Sequence, residues 1–170
     1  MTAAAIFVIF PLCLAIAALS DFFTMTIPNR ISAILLASFL LIAPLAGLPL
    51  AQIGLHLAAG LVVFGVCFGL FAINVMGGGD AKLLTASAVW FGLTPSLVVY
   101  LIYVSFFGGI LTLAILSLRG HTNTILASGL PVPNHLLTHK KIPYGIAIGI
   151  AAFFAYPSSP LMQAALASFR

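Results

Sequence analysis

A chain of 170 residues that keeps only two acidic side chains, Asp21 and Asp80, and six basic ones has too little charge to cover a soluble globule. Soluble domains carry about 25% charged residues; here the share is 5%, against 63% hydrophobic. Long apolar runs with so few charges are what a bilayer core selects. The expected fold is therefore an all-α polytopic membrane protein, one transmembrane domain over residues 1–170 with no separate soluble module. Six cations scattered between apolar runs make no basic stripe, so membrane lipid and not nucleic acid is the expected surroundings.

Breaks in the apolar pattern divide the chain into about six transmembrane helices. They fall at residues 4–20, 31–46, 53–75, 81–91, 97–118 and 143–156. Ala15-Ile16-Ala17 resembles a signal-peptide exit, but no basic segment precedes it, and 4–20 is read as the first mature span. The interruption at Gly92-Leu93-Thr94-Pro95-Ser96 removes a donor and disfavours helix before the proline. That leaves a fourth helix of about 12 residues, ~18 Å against a core of ~30 Å. The three glycines before it, Gly77, Gly78 and Gly79, suit an unwound, water-lined loop that dips into the membrane.

Arg30, Lys82, Arg119, Lys140 and Lys141 fall in alternate connections and share one face of a six-span chain; Arg170 falls on the other. The positive-inside rule makes the cation-rich face cytoplasmic and leaves the N-terminus outside. Asp21 and Asp80 then both stand at the cytoplasmic boundary.

Carboxylates near membrane depth are costly, and those that persist are usually functional or paired. Two that share a poorly hydrated site hold a single proton between them. The ionised member can take a proton from water while the protonated member donates to a carbonyl oxygen. Such a pair hydrolyses an amide with no metal, no cofactor and no covalent intermediate. The plainer reading pairs Asp21 with Arg30 and Asp80 with Lys82, although exposed pairs of that kind contribute little. Two further readings are a small ion- or proton-coupled transporter with an aspartate relay and a non-enzymatic membrane scaffold of a secretion system. A transporter is expected to carry its charges at the midplane between repeated halves, and no repeat is visible here.

Gly77-Gly78-Gly79-Asp80 fits the Gly-x-Gly-Asp (GxGD) signature of intramembrane aspartic proteases, and Ala81-Lys82-Leu83-Leu84 continues it as in type IV prepilin peptidases. Asp21 followed by Ile27-Pro28-Asn29 resembles that family's other catalytic stretch. Ile142-Pro143-Tyr144-Gly145 resembles the opening of its last conserved helix. The resemblance implies a polytopic inner-membrane endopeptidase with Asp21 and Asp80 as catalytic pair. It would remove a basic leader ahead of the hydrophobic helix of a prepilin, in company with pilus or secretion assembly proteins. The short form is most similar to the CpaA/TadV type, which serves Flp-like pilins. The longer members' cytoplasmic cysteine segment has no counterpart here, so no methyltransferase activity is expected.

Around the pair, Pro28 and Asn29 are expected to fix the turn that carries Asp21. Lys82 either supports the ionised pair or substrate, or serves the cation bias of its face. His135 and His139 lie four apart, but two histidines without an acid or cysteine cluster fall short of a metal site. Cys13 and Cys67 sit in apolar runs and read as small packed side chains. Trp90 and the tyrosines near span ends read as an interfacial belt. The segment 122–137 is expected to lie along the membrane surface and help admit the leader.

Overall fold

The computed structural model describes residues 2–122, 136 and 141–168, and every regular element among them is helical. The helices are α1 (Thr2–Thr24), α2 (Asn29–Leu45), α3 (Leu50–Ala72), α4 (Gly78–Phe91), α5 (Pro95–Gly120), α6 (Tyr144–Ala155) and α7 (Pro160–Ala167). A single 3-10 turn, Tyr156–Ser158, joins the last two. Helices α1, α3 and α5 are long and apolar enough to cross a membrane. The stretch from α6 through α7, bent by 47°, makes a fourth if taken as one span. The molecule is thus a multi-pass membrane protein, with lipid-facing rows such as Leu61 and Val66 on α3 and Ile102 and Leu113 on α5 left exposed.

Helix α4 occupies the middle. It has 14 residues, about 21 Å of rise, and packs against α2, α3 and α6. Ala81, Leu83, Leu84 and the run Ala86–Phe91 are all buried. Beyond its first turn α4 is enclosed on nearly every side, which is why it can be short: its neighbours face the lipid in its place. Close approach is permitted by Gly60 of α3, where a Cβ would lie 2.6 Å from Val89 Cγ2. Small residues serve this role between membrane helices.

Trp90 is a correction to the interfacial-belt expectation. It is fully buried, ringed by Phe10, Phe39 and Tyr156 at centroid distances of 5.2, 6.1 and 6.3 Å. Its indole N–H donates to the Leu35 carbonyl at 3.0 Å. Tyr100 and Tyr156 are buried as well, the first hydrogen-bonded to Ser87 Oγ at 2.8 Å and the second donating to the Ile6 carbonyl at 2.8 Å. Each polar tip finds a partner inside the bundle, so none needs the headgroup layer. His56 is likewise buried, with Nδ1 on the Val89 carbonyl at 2.7 Å. Cys13 and Cys67 are free and buried.

Two boundaries also differ from expectation. Helix α1 continues through Asp21 to Thr24, so the break between the first two helices is only residues 25–28. Gly78 and Gly79 are helical, and the unwound stretch is 73–77, ending at the N-cap Gly77. Most of the segment 122–137 lies outside the described residues, as do His135, His139, Lys140 and Arg170.

Replacing Trp90 by Ala is expected to destabilise the bundle by about 3–5 kcal/mol, read from the midpoint of denaturant titration in mixed micelles. Phe at this position should cost less, since it keeps a ring and loses the bond to Leu35. A loss near zero for Trp90→Ala would return the residue to the membrane interface.

Candidate active site

Asp21 stands one turn from the end of α1 and is only 5% exposed. Its Oδ2 accepts a hydrogen bond from the Gly145 backbone N–H at 2.7 Å. That N–H belongs to the first turn of α6, a helix end that attracts negative charge. The approach leaves no room for a side chain: a Cβ on Gly145 would lie 2.9 Å from Asp21 Oδ2 and 3.0 Å from Asp21 Cβ.

Asp80 is the third residue of α4, and its carboxylate reaches back to the backbone amide of Gly77 at the N-cap. The carboxylate lies over Gly77, the place a capping-box side chain takes, with aspartate in place of the usual Glu or Gln. It explains why helix begins inside the glycine run.

Both carboxylates line one cavity of about 250 Å³, close enough that the charge of one bears on the other. Thr26, Asn29 and Lys141 give the same cavity a polar wall. No cluster of three or more His, Cys, Asp or Glu among the described residues could hold a metal ion.

The three signature stretches meet at Ile27. Its side chain lies against Gly79 of α4, where a Cβ would be 3.2 Å from Ile27 Cβ. It also lies against Gly145 of α6, where a Cβ would be 2.9 Å from Ile27 Cδ1. The turn that presents it is drawn tight by Ser20 Oγ donating to the Thr26 carbonyl at 2.9 Å. Met25 adopts φ +53° to end α1, a left-handed conformation that costs a non-glycine residue about 1–2 kcal/mol. Pro28 caps the start of α2.

Asn29 Oδ1 accepts from Lys82 Nζ at 3.0 Å, which ties the α1–α2 turn to α4 across 53 positions. Lys82 is thus held by Asn29, and among the described residues neither Asp21–Arg30 nor Asp80–Lys82 forms an ion pair.

Two residues that the sequence alone leaves outside the site, Lys141 and Tyr144, both border Asp80. Lys141 lines the shared cavity, and its backbone carbonyl accepts from Arg119 Nη2 at 2.8 Å. Tyr144 opens α6 with its ring pressed onto Gly108 of α5. The run Lys-Lys-Ile-Pro-Tyr-Gly does carry a signal, since it places a cation and a helix start side by side.

The model of the type IV leader peptidase family matches residues 8–113. The chain belongs to that family. No individual curated protein and no solved structure matches it. The family match contains Asp21, Ile27 and Asp80, whereas Lys141, Tyr144 and Gly145 lie beyond it and join the site through the packing of α6. In this leader peptidase family member, α6 therefore closes a site whose acids come from α1 and α4.

Gly145→Ala is expected to push the Asp21 carboxylate away and slow leader cleavage on the order of 10²-fold. Gly109→Ala, at a position with nothing within 4 Å of an added Cβ, should cleave normally in the same assay. Equal activity for the two variants would remove the Gly145–Asp21 contact from the working site.

Proposed function

We propose that this protein is a membrane-embedded aspartic endopeptidase that cleaves the leader from type IV, Flp-like prepilins at the cytoplasmic face of the bacterial inner membrane. The observation that carries the reading is the shared cavity: the chain's only two acids, Asp21 and Asp80, far apart in sequence, line the same polar pocket. Family membership makes a prepilin the natural substrate.

In the reaction, the ionised aspartate removes a proton from a water molecule as the water oxygen bonds to the scissile carbonyl carbon. The protonated aspartate donates to the carbonyl oxygen, giving a neutral tetrahedral diol. Collapse re-forms C=O and breaks the C–N bond. The departing nitrogen takes a proton from one carboxyl, while a hydroxyl proton of the diol returns to the other, and the pair again holds one proton. Asp21, fixed by the Gly145 N–H, and Asp80, fixed by Gly77, are the pair. The remaining site residues act as supports: Pro28 and Asn29 shape the turn, Lys82 braces it, and Gly77, Gly78 and Gly79 admit neighbouring groups to the backbone.

Topology supports the same reading. Asn29, adjacent to Arg30, meets Lys82, and Arg119 meets Lys141 beside the acids, so the described cations gather at the end of the bundle that holds the cavity. With α2 and α4 counted as spans inside the bundle, six crossings put that end in the cytoplasm and the N-terminus outside. Pilus or secretion assembly proteins would receive the mature product.

Co-expression with a prepilin is expected to give leader removal, seen as a mobility shift. Asp21→Asn and Asp80→Asn should each lower the rate by about 10²–10⁴-fold with normal amounts of protein in the membrane. Full cleavage by both variants would reject the aspartate-pair mechanism. Cleavage by the unaltered protein should also show a bell-shaped pH profile. It falls on the acid side as both carboxyls protonate and on the basic side as both ionise, with both limbs belonging to the pair. A profile with one limb would contradict a shared proton.

A further inference from the structure

A second, larger cavity of about 620 Å³ adjoins the first, within the ~300–1,000 Å³ range of ligand clefts. The two share Gly77, Gly78, Asp80, Lys141 and Ile142, but Asp21 lines only the smaller one. Asp80 and its glycines are therefore the partition between two chambers of different chemistry. Beyond the shared residues, the smaller chamber is lined by Asp21, Thr26 and Asn29 together with Met25, Ile27 and Gly79. The larger one extends between the end of α3 and the middle of α5 over Leu70, Phe71, Val75, Met76 and Tyr144.

The wall of the larger chamber is partly exposed, with Phe71 and Val75 both open on one side. Phe71 covers Gly78, where a Cβ would lie 3.2 Å from its ring. Tyr144 is seated on Gly108. Thr112 also lines it, and its hydroxyl donates to the Gly108 carbonyl at 2.7 Å, so it presents no unpaired polar hydrogen.

A peptide held at the aspartate pair must leave the site in both directions at about 3.3 Å per residue, so the side chains flanking the scissile bond fall into these chambers. We infer that the larger chamber is the specificity pocket for the apolar residue immediately after the scissile bond, while the smaller polar chamber holds the end of the leader. This rests on the leader peptidase reading and adds the direction in which the substrate lies. Apolar side chains gain by burial in proportion to the surface removed from water, and the larger chamber offers more of that surface, with Asn74 and Lys141 among its polar lining. Thr112 and Phe71 then set how large a residue is accepted.

The test is a ratio measured within each variant. Three prepilin substrates, with Leu, Ala or Trp as the first residue after the cleaved bond, are assayed for kcat/KM in proteoliposomes. Thr112→Phe, which fills the chamber, should lower the Leu-to-Ala ratio about tenfold or more relative to the unaltered protein. Phe71→Ala, which widens it, should raise the preference for a Trp substrate over the Leu substrate several-fold. Because each value is a ratio, a general loss of activity or folding leaves it unmoved. Ratios unchanged in both variants would overturn the inference, as would shifts that follow the residue before the bond. Failure of the unaltered protein to cleave any of the substrates would instead overturn the proposed function, and this inference with it.

Discussion

The hydrogen bond from the Gly145 N–H to Asp21 Oδ2, 2.7 Å long and spanning 124 positions, is the contact on which the site depends. A buried carboxylate must find donors or a partner, and this one finds the open end of a helix that arrives from the far end of the chain. The bond seats α6 against α1, and α6 in turn brings Tyr144 and Lys141 to the edge of the cavity. Without it Asp21 would be a buried acid with no backbone donor from α6.

The same economy of polar groups holds for four large buried side chains elsewhere in the bundle. Trp90, Tyr100, Tyr156 and His56 each carry a polar atom into the interior, and each is met by a carbonyl or hydroxyl from a neighbouring helix. These bonds surround α4, the helix that carries Asp80. A short helix enclosed on its sides holds its first turn firmly, so the position of Asp80 is set by core packing below it and by the Gly77 amide behind it. A site built on packed helices in this way is held more exactly than one built on loops.

Much of this is legible in the amino-acid sequence. Scarcity of charge points to membrane helices, the two acids stand out because nothing else competes with them, and the breaks at Pro28, Pro49 and Gly92 fall where helices end. The glycine run reads as wholly unwound because glycine disfavours helix. Tertiary contacts override that preference at Gly78 and Gly79, where Phe71 and Ile27 need the space, while Asp80 caps the turn. Trp90 reads as interfacial because an aromatic near a span end looks the same whether its polar tip meets water or a buried carbonyl. Lys141 and Tyr144 read as a topological cation and a helix start, since only packing shows that both border Asp80. The wedge of Ile27 between two glycines has no local signal, although all three residues belong to stretches that stand out separately.

Proximity of the two acids within one cavity is the claim that everything functional stands on, and it can be measured without any substrate. In a chain carrying Cys13→Ala and Cys67→Ala, with Asp21→Cys and Asp80→Cys and a protease site placed in the 46–49 turn, native membranes would be treated with a short bifunctional thiol reagent and then cut. The two fragments should remain joined. Fragments that separate, although each introduced thiol reacts with a monofunctional label, would show that residues 21 and 80 do not share a site.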